Sequence, residues 1–143
     1  PGQKAFGAAR RDSMWRFVFG IVIVLHGLVH LLYFGQSRRL FELRPGMIWP
    51  DGSWAFARLL GVAGTRWLAS VACLLATAGF VAGGAGLLLD QAWWGPVAGG
   101  TAAFSSILYV LFWDGKRQKL SDQGAIAILI NIAILVAVLV SSR

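Results

Sequence analysis

Charged residues vanish from four stretches of this chain, at 17–37, 67–89, 91–113 and 123–142, and what remains there is mostly apolar. The stretches are 21, 23, 23 and 20 residues long. A helix needs roughly 20 apolar residues to cross the hydrocarbon of a bilayer. The pattern therefore predicts four transmembrane helices, at about 15–34, 67–89, 92–113 and 123–140. The expected fold is all-α, an integral membrane four-helix bundle forming a single membrane domain over residues 1–143. A signal peptide's apolar region is only about 7–15 residues, shorter than the first stretch. Barrel strands run about 9–11 residues with alternating polarity, and no such alternation is present.

The segments between spans differ in kind. Residues 1–13 are Gly/Ala-rich and basic and read as a flexible or interfacial leader. The connector 35–65 holds RRLFELR (38–44), Pro45, Pro50 and the turn WPDGSW (49–54). Pro and Asp-Gly break helices, and Ser53 is placed to cap a short interfacial helix over 54–61. Long connectors are often functional; the plainer role is to cover one end of the bundle. Spans two and three are joined only by Asp90–Gln91 and form a tight hairpin. Trp93 and Trp94 suit the aromatic belt, and Pro96 suits a helix's first turn. An even number of spans puts both termini on one side. The terminal end carries five Lys/Arg and the opposite end eight, with a basic flank before span one, so the orientation is left open.

Composition narrows the class. Charged residues are 13% of the chain, against about 25% in soluble domains. The net charge of +7 is placed at membrane boundaries, where it meets lipid headgroups and not nucleic acid. The single cysteine, Cys73, excludes an internal disulfide and a CxxC redox pair. All six carboxylates lie outside the spans, and no nucleophile–base pair is visible. No catalytic set and no metal set is assigned, and whether the protein is an enzyme is left open.

Small and polar residues inside the spans mark packing. Gly79 with Gly83, and Gly95 with Gly99, each have GxxxG spacing, which lets helix backbones approach closely in lipid. They suit packing of span two on span three, or dimerisation. Asn131, in the middle of span four, requires a hydrogen-bond partner on another helix. Arg66, Ser70, Cys73 and Thr77 share one face of span two, and Thr101 and Ser105 do so on span three. These hydroxyls either line a polar interior or bond their own backbone carbonyls.

The two histidines, His26 and His30, both fall inside span one. Their i,i+4 spacing stacks them on one face, in a stripe with Trp15, Phe19, Val22 and Tyr33. Ionisable groups at membrane depth are costly and point to function by default. Three readings stand. Each imidazole ties to another helix. The pair receives a polar group such as a quinone carbonyl. Or the pair binds a metal or haem, for which the spans supply no third histidine and no carboxylate. Arg16, ten residues before His26, lies about 80° off the histidine face and suits snorkelling to the interface.

Arg16, Gly20, His26-Gly27 and a polar residue at position 30 resemble the opening helix of DoxX-like membrane proteins. The motif covers about 15 residues; the topology covers the whole chain. That family often has a basic residue after the His-Gly, where this chain has His30. The resemblance implies a multi-pass protein of a prokaryotic cell membrane near redox chemistry. Its named member is a small subunit of a thiosulfate:quinone oxidoreductase, and others are associated with oxidative stress or lipids. The expected function is thus a redox-associated or accessory subunit binding a quinone or lipid inside the bundle, through His26, His30, Tyr33 and Arg16. The alternative is a structural or assembly subunit, partnered by other membrane subunits or a second copy. A transporter or channel is the last reading, since the sequence offers neither the broken helices nor the charged rings that such pores often use.

Overall fold

A computed structural model describes residues 2–116 and 120–141, with side chains from residue 12 onward. Arg117, Lys119 and Arg143 lie outside the described residues, as do the side chains of Lys4, Arg10 and Arg11. Among the described residues the chain is all-helical. It comprises α1 (Gly2–Ser37), α2 (Ala57–Leu88), α3 (Trp94–Leu111), a single 3-10 turn (Leu120–Gln123) and α4 (Ala125–Ser141). Two helical segments, Asp12–Ser37 and Ala57–Leu88, are long and apolar enough to cross a membrane.

Two segments differ from the sequence reading. The expected leader continues α1 back to Gly2, because QKAFGAARR contains strong helix formers and no proline. The short helix expected over 54–61 begins only at Ala57 and runs into the rest of α2 across a kink. Gly61 sets it off with φ +64, a conformation that favours glycine. Ser53 does act as a local cap: its hydroxyl accepts from the Phe56 N–H at 3.1 Å and donates to the Leu111 carbonyl at 2.8 Å.

Neighbours in sequence are neighbours in space, and each pair is antiparallel. Gly20 of α1 lies against Leu88 and Gly84 of α2, Gly27 lies against Phe80, and Ser37 reaches Ser70. On the next interface Gly79 meets Thr101 and Gly83 meets Ala98 of α3. Gly95 and Gly99, however, face Val138 of α4 and not α2. The two GxxxG pairs therefore serve two different interfaces. The closest α1–α2 approach runs through Gly20, Gly27 and Gly84, which show no GxxxG spacing. The α1–α2 interface is the most extensive, and α1 barely touches α4.

The hydroxyls of α2 and α3 mostly bond back onto their own helices. Ser70, Thr77, Thr101 and Ser106 each donate to the carbonyl four residues earlier at 2.7–2.9 Å. Val22, expected inward, is 43% exposed, and Ile23 takes the inward place.

The connector closes one end of the bundle. Met47 and Trp49 are buried and join the core formed by Ala69, Cys73, Tyr109 and Phe112. Gln36, fully buried at the end of α1, holds this shape. Its amide nitrogen donates to the carbonyls of Met47 (2.9 Å) and Trp49 (3.4 Å), and its oxygen accepts from the Leu43 N–H (2.9 Å). Asp51 sits between Arg39 and Arg66 at 2.6–2.7 Å. Burial pushes its carboxyl up, but the hydrogen bonds and charges of Arg66 and Arg39 outweigh this and hold it below its usual value. A carboxyl depressed on folding stabilises in full above its unfolded pKa of about 3.9, and that contribution fades as pH falls through the lower native value. Acidification below about pH 4 should therefore loosen the connector. Hydrogen exchange of amides 47–54 should accelerate there, and Asp51→Asn should show the same acceleration at neutral pH. Unchanged protection in Asp51→Asn would refute the link.

Candidate functional site

The four residues expected to hold a ligand do not converge. Arg16 lies at the terminal end, where it pairs with Asp90 of the α2–α3 turn and donates to the Leu87 carbonyl at 3.3 Å. Tyr33 lies toward the connector, packed on Trp49 and Tyr109. Only His26 and His30 meet, with ring centroids 5.2 Å apart.

The histidines belong to a buried network that joins three helices. His26 Nε2 contacts Asn131 Oδ1 at 2.8 Å, and Asn131 Nδ2 donates to Ser105 Oγ at 2.9 Å. Ser105 Oγ lies 2.8 Å from His30 Nε2, and His30 Nδ1 lies 3.1 Å from the His26 carbonyl. With both imidazoles neutral, only one proton assignment gives every contact a donor. The carbonyl of His26 can only accept, so His30 Nδ1 carries the hydrogen and its Nε2 accepts from the Ser105 hydroxyl. Ser105 Oγ then accepts from the amide nitrogen of Asn131. That leaves Asn131 Oδ1 to accept from His26 Nε2–H. The result is a closed loop of one-way hydrogen bonds. Phe80 of α2 packs on both rings, at 4.8 and 5.4 Å. His26 Nδ1 is the one histidine nitrogen left buried without a partner.

The connector-covered end has a different character. Three clefts lie side by side there. One of about 140 Å³, between α3 and α4, is lined by Tyr109, Trp113 and Gln123. Another of about 170 Å³ shares Gln123 and adds Met47 and Asp122. A third, also about 170 Å³, shares Met47 and Asp122 and adds Tyr33 and Arg44. Arg44 closes over it through an ion pair with Asp122 at 2.7 Å.

Three buried polar atoms at this end have no hydrogen-bond partner: Trp49 Nε1, Tyr109 OH and Gln123 Oε1. Buried polar groups are nearly always paired, so these three single out this end as a candidate site. The residues are 1%, 1% and 8% exposed. Aromatic rings pack on Trp49 and Tyr109. Tyr33 meets Trp49 and Tyr109 at 5.1 and 5.0 Å, and Trp49 meets Phe112 at 6.0 Å. Gly124 makes room for this arrangement: its φ is +90, and any Cβ there would collide with the Tyr109 ring.

The sequence reading did not single out Trp49, Gln36 or Gln123 as site residues. The available signal was the density of Trp, Pro and Gly in the connector, which marked the segment and not the residues. Among the described residues no cluster of three metal-ligating side chains occurs. Comparison with known proteins finds no matching family model, no matching curated sequence and no matching solved structure.

Proposed function

We propose that this chain is a membrane-embedded four-helix bundle, with both termini on one side, that receives the polar head of a hydrophobic ligand such as a quinone or lipid. Its working end is the connector-covered one. The observation that carries this reading is that Tyr109 and Gln123, each with an unpartnered buried polar atom, line one cleft at this end. The histidine network acts as the frame that fixes α1, α3 and α4 around that end. A role as a redox-associated accessory subunit rests on the resemblance of Arg16, Gly20 and His26-Gly27 to DoxX-like proteins.

Helix dimensions and exposure support the membrane setting. α3 and α4 have 18 and 17 residues. At 1.5 Å per residue they are about 26–27 Å long, close to the hydrocarbon thickness of about 30 Å. In α1 only 28% of the most apolar window is buried, and in α2 39%, whereas a core helix of a soluble protein buries most of such a window. Phe17, Leu25, Ile107, Leu129 and Leu139 are all more than half exposed. Such a surface suits lipid.

The test is purification of the full chain from its native membrane in mild detergent, followed by an absorption spectrum, metal assay and mass spectrometry of extracted small molecules. A stoichiometric amphiphile, reduced several-fold by Gln123→Met, is the expected result. Bulk lipid alone, unchanged by that substitution, would sink the proposal.

A structural or assembly subunit is the second reading, favoured by one feature. An open apolar groove of about 630 Å³ separates α1 from α4, lined by Trp15, Ala133, Val136, Ala137 and Val140. It suits a helix of another membrane subunit or a second copy. Co-purification of a partner that is lost in Ala137→Phe would favour this reading.

A further inference from the structure

Of the three clefts at the connector end, the one between α3 and α4 differs from its neighbours in charge. Among the described residues it is lined by Tyr109, Val110, Trp113, Leu120, Gln123 and two apolar residues of α4, with no charged side chain. The second cleft is bordered by Asp114, Lys116 and Asp122, and the third by Arg44 and Asp122. Trp113 brings no free donor, since its Nε1–H already donates to the Lys116 carbonyl at 2.8 Å. Tyr109 and Gln123 are buried, whereas Val110 and Leu120 are 49% and 44% exposed. The cleft is therefore closed toward the bundle and opens on the outer face between α3 and α4. Its volume is about 140 Å³. A cavity of about 150 Å³ holds one benzene, whereas a site enclosing a whole drug-sized ligand runs about 300–1,000 Å³. We infer that the ligand places in this cleft an uncharged head no larger than about one six-membered ring, and that its apolar tail leaves through the outer face between α3 and α4.

This inference rests on the ligand-binding reading above and narrows it. A phosphate, carboxylate or ammonium head would give up its water in the cleft with no opposite charge to receive it, and an unpaired buried charge is among the costliest groups to desolvate. An uncharged carbonyl or hydroxyl loses far less on entering. Tyr109 and Gln123 offer it both donor and acceptor capacity, whichever way round the Gln123 amide lies. Two sources share this chemistry: a monocyclic ring of the quinone or phenol class, and a simple alcohol. The rings of Tyr109 and Trp113 in the lining favour the first, because a flat ring gains offset or edge-on contacts beyond its buried area. A fused two-ring head is too large to enter whole.

The experiment uses the full chain in nanodiscs and probes that share one tail: decyl-benzoquinone, decanol, decyl-naphthoquinone, decyl sulfate and decyltrimethylammonium. The last two keep their charge at every pH in use. Binding is read by equilibrium dialysis against empty nanodiscs. Decyl-benzoquinone should bind about tenfold or more tightly than the naphthoquinone and than either charged probe. Ile128→Ala, which widens the cleft, should bring the naphthoquinone to within about threefold of the benzoquinone and leave the charged probes weak. Ala125→Phe, which fills the cleft, should abolish binding, and Asp114→Asn, in the neighbouring cleft, should leave it unchanged. Preference for decanol over the benzoquinone would support the uncharged head and assign it to an alcohol. A charged probe or the naphthoquinone binding to the wild-type chain as tightly as the benzoquinone would overturn the inference and leave the ligand-binding reading intact. So would benzoquinone binding that neither Ile128→Ala nor Ala125→Phe alters. No binding of any probe to the wild-type chain would overturn both.

Discussion

Gly84→Leu is expected to prevent α1 from docking on α2, and Gly84→Ala to destabilise the folded bundle by about 1–3 kcal/mol. A Cβ at position 84 would sit 2.8 Å from the Gly20 carbonyl oxygen and 2.7 Å from Val24 Cγ2, with the Val24 nitrogen at 3.1 Å. Two of these three neighbours are backbone and cannot rotate away. Relief requires the helices to separate, and this is the most extensive helix interface in the chain. In lipid, association depends on such close packing, since apolar burial alone gives no drive. Gly100 is the control. A Cβ there meets nothing within 4 Å, so Gly100→Ala should be neutral or stabilise by up to about 1 kcal/mol, as expected for a helix interior. SDS-titrated unfolding in mixed micelles measures both. Equal stability of Gly84→Leu and Gly100→Leu would remove Gly84 from the packing account.

Asn131→Leu should cost about 2–3 kcal/mol, more than one hydrogen bond is normally worth in a membrane. Asn131 carries two links of the loop, to His26 and to Ser105. Its loss leaves the His26 Nε2–H donor without an acceptor. Ser105 loses one donor but keeps its bond to His30. Most of the cost is therefore the stranded imidazole. The double change His26→Leu/Asn131→Leu removes both ends of that bond. It should be less damaging than the sum of the single changes by at least about 1 kcal/mol. A double-mutant cycle in the same unfolding assay gives this coupling directly. Strict additivity would mean that His26 and Asn131 do not interact.

These two predictions concern residues of unequal visibility in the sequence. Asn131, His26 and His30 stand out because each is a polar interruption in an apolar run. The need for cross-helix partners follows from the cost of burying such groups. Which partners they find does not follow. Ser105 looked like the other span hydroxyls, yet it bridges His30 and Asn131 while Ser106 bonds its own helix. Gly84 stood out even less, being one of several glycines between 79 and 86. The GxxxG spacing drew attention to Gly79 and Gly83 and to Gly95 and Gly99. Those pairs occupy the α2–α3 and α3–α4 contacts respectively.

The physical cause is the shared apolarity of the helices' outer and inner faces. In a soluble helix the polar stripe marks the outward face. Here apolar residues lie on outward and inward faces alike, so periodicity carries little information about rotation. Val22 and Ile23 illustrate this: adjacent and chemically alike, one is 43% exposed and the other fully buried.

The sequence by itself determined the helical class, the positions of the apolar segments and the break between α1 and α2. Runs free of charge, and the Pro and Asp-Gly turns between them, are local properties of the chain. Tertiary structure decided what each helix face touches, the loop from His26 to His30, and the plug formed by Met47 and Trp49. It also decided that Trp49, Tyr109 and Gln123 share one end, with their polar atoms unpaired. Those residues come from the connector, α3 and the 3-10 turn, and only the packing of the helices brings them together.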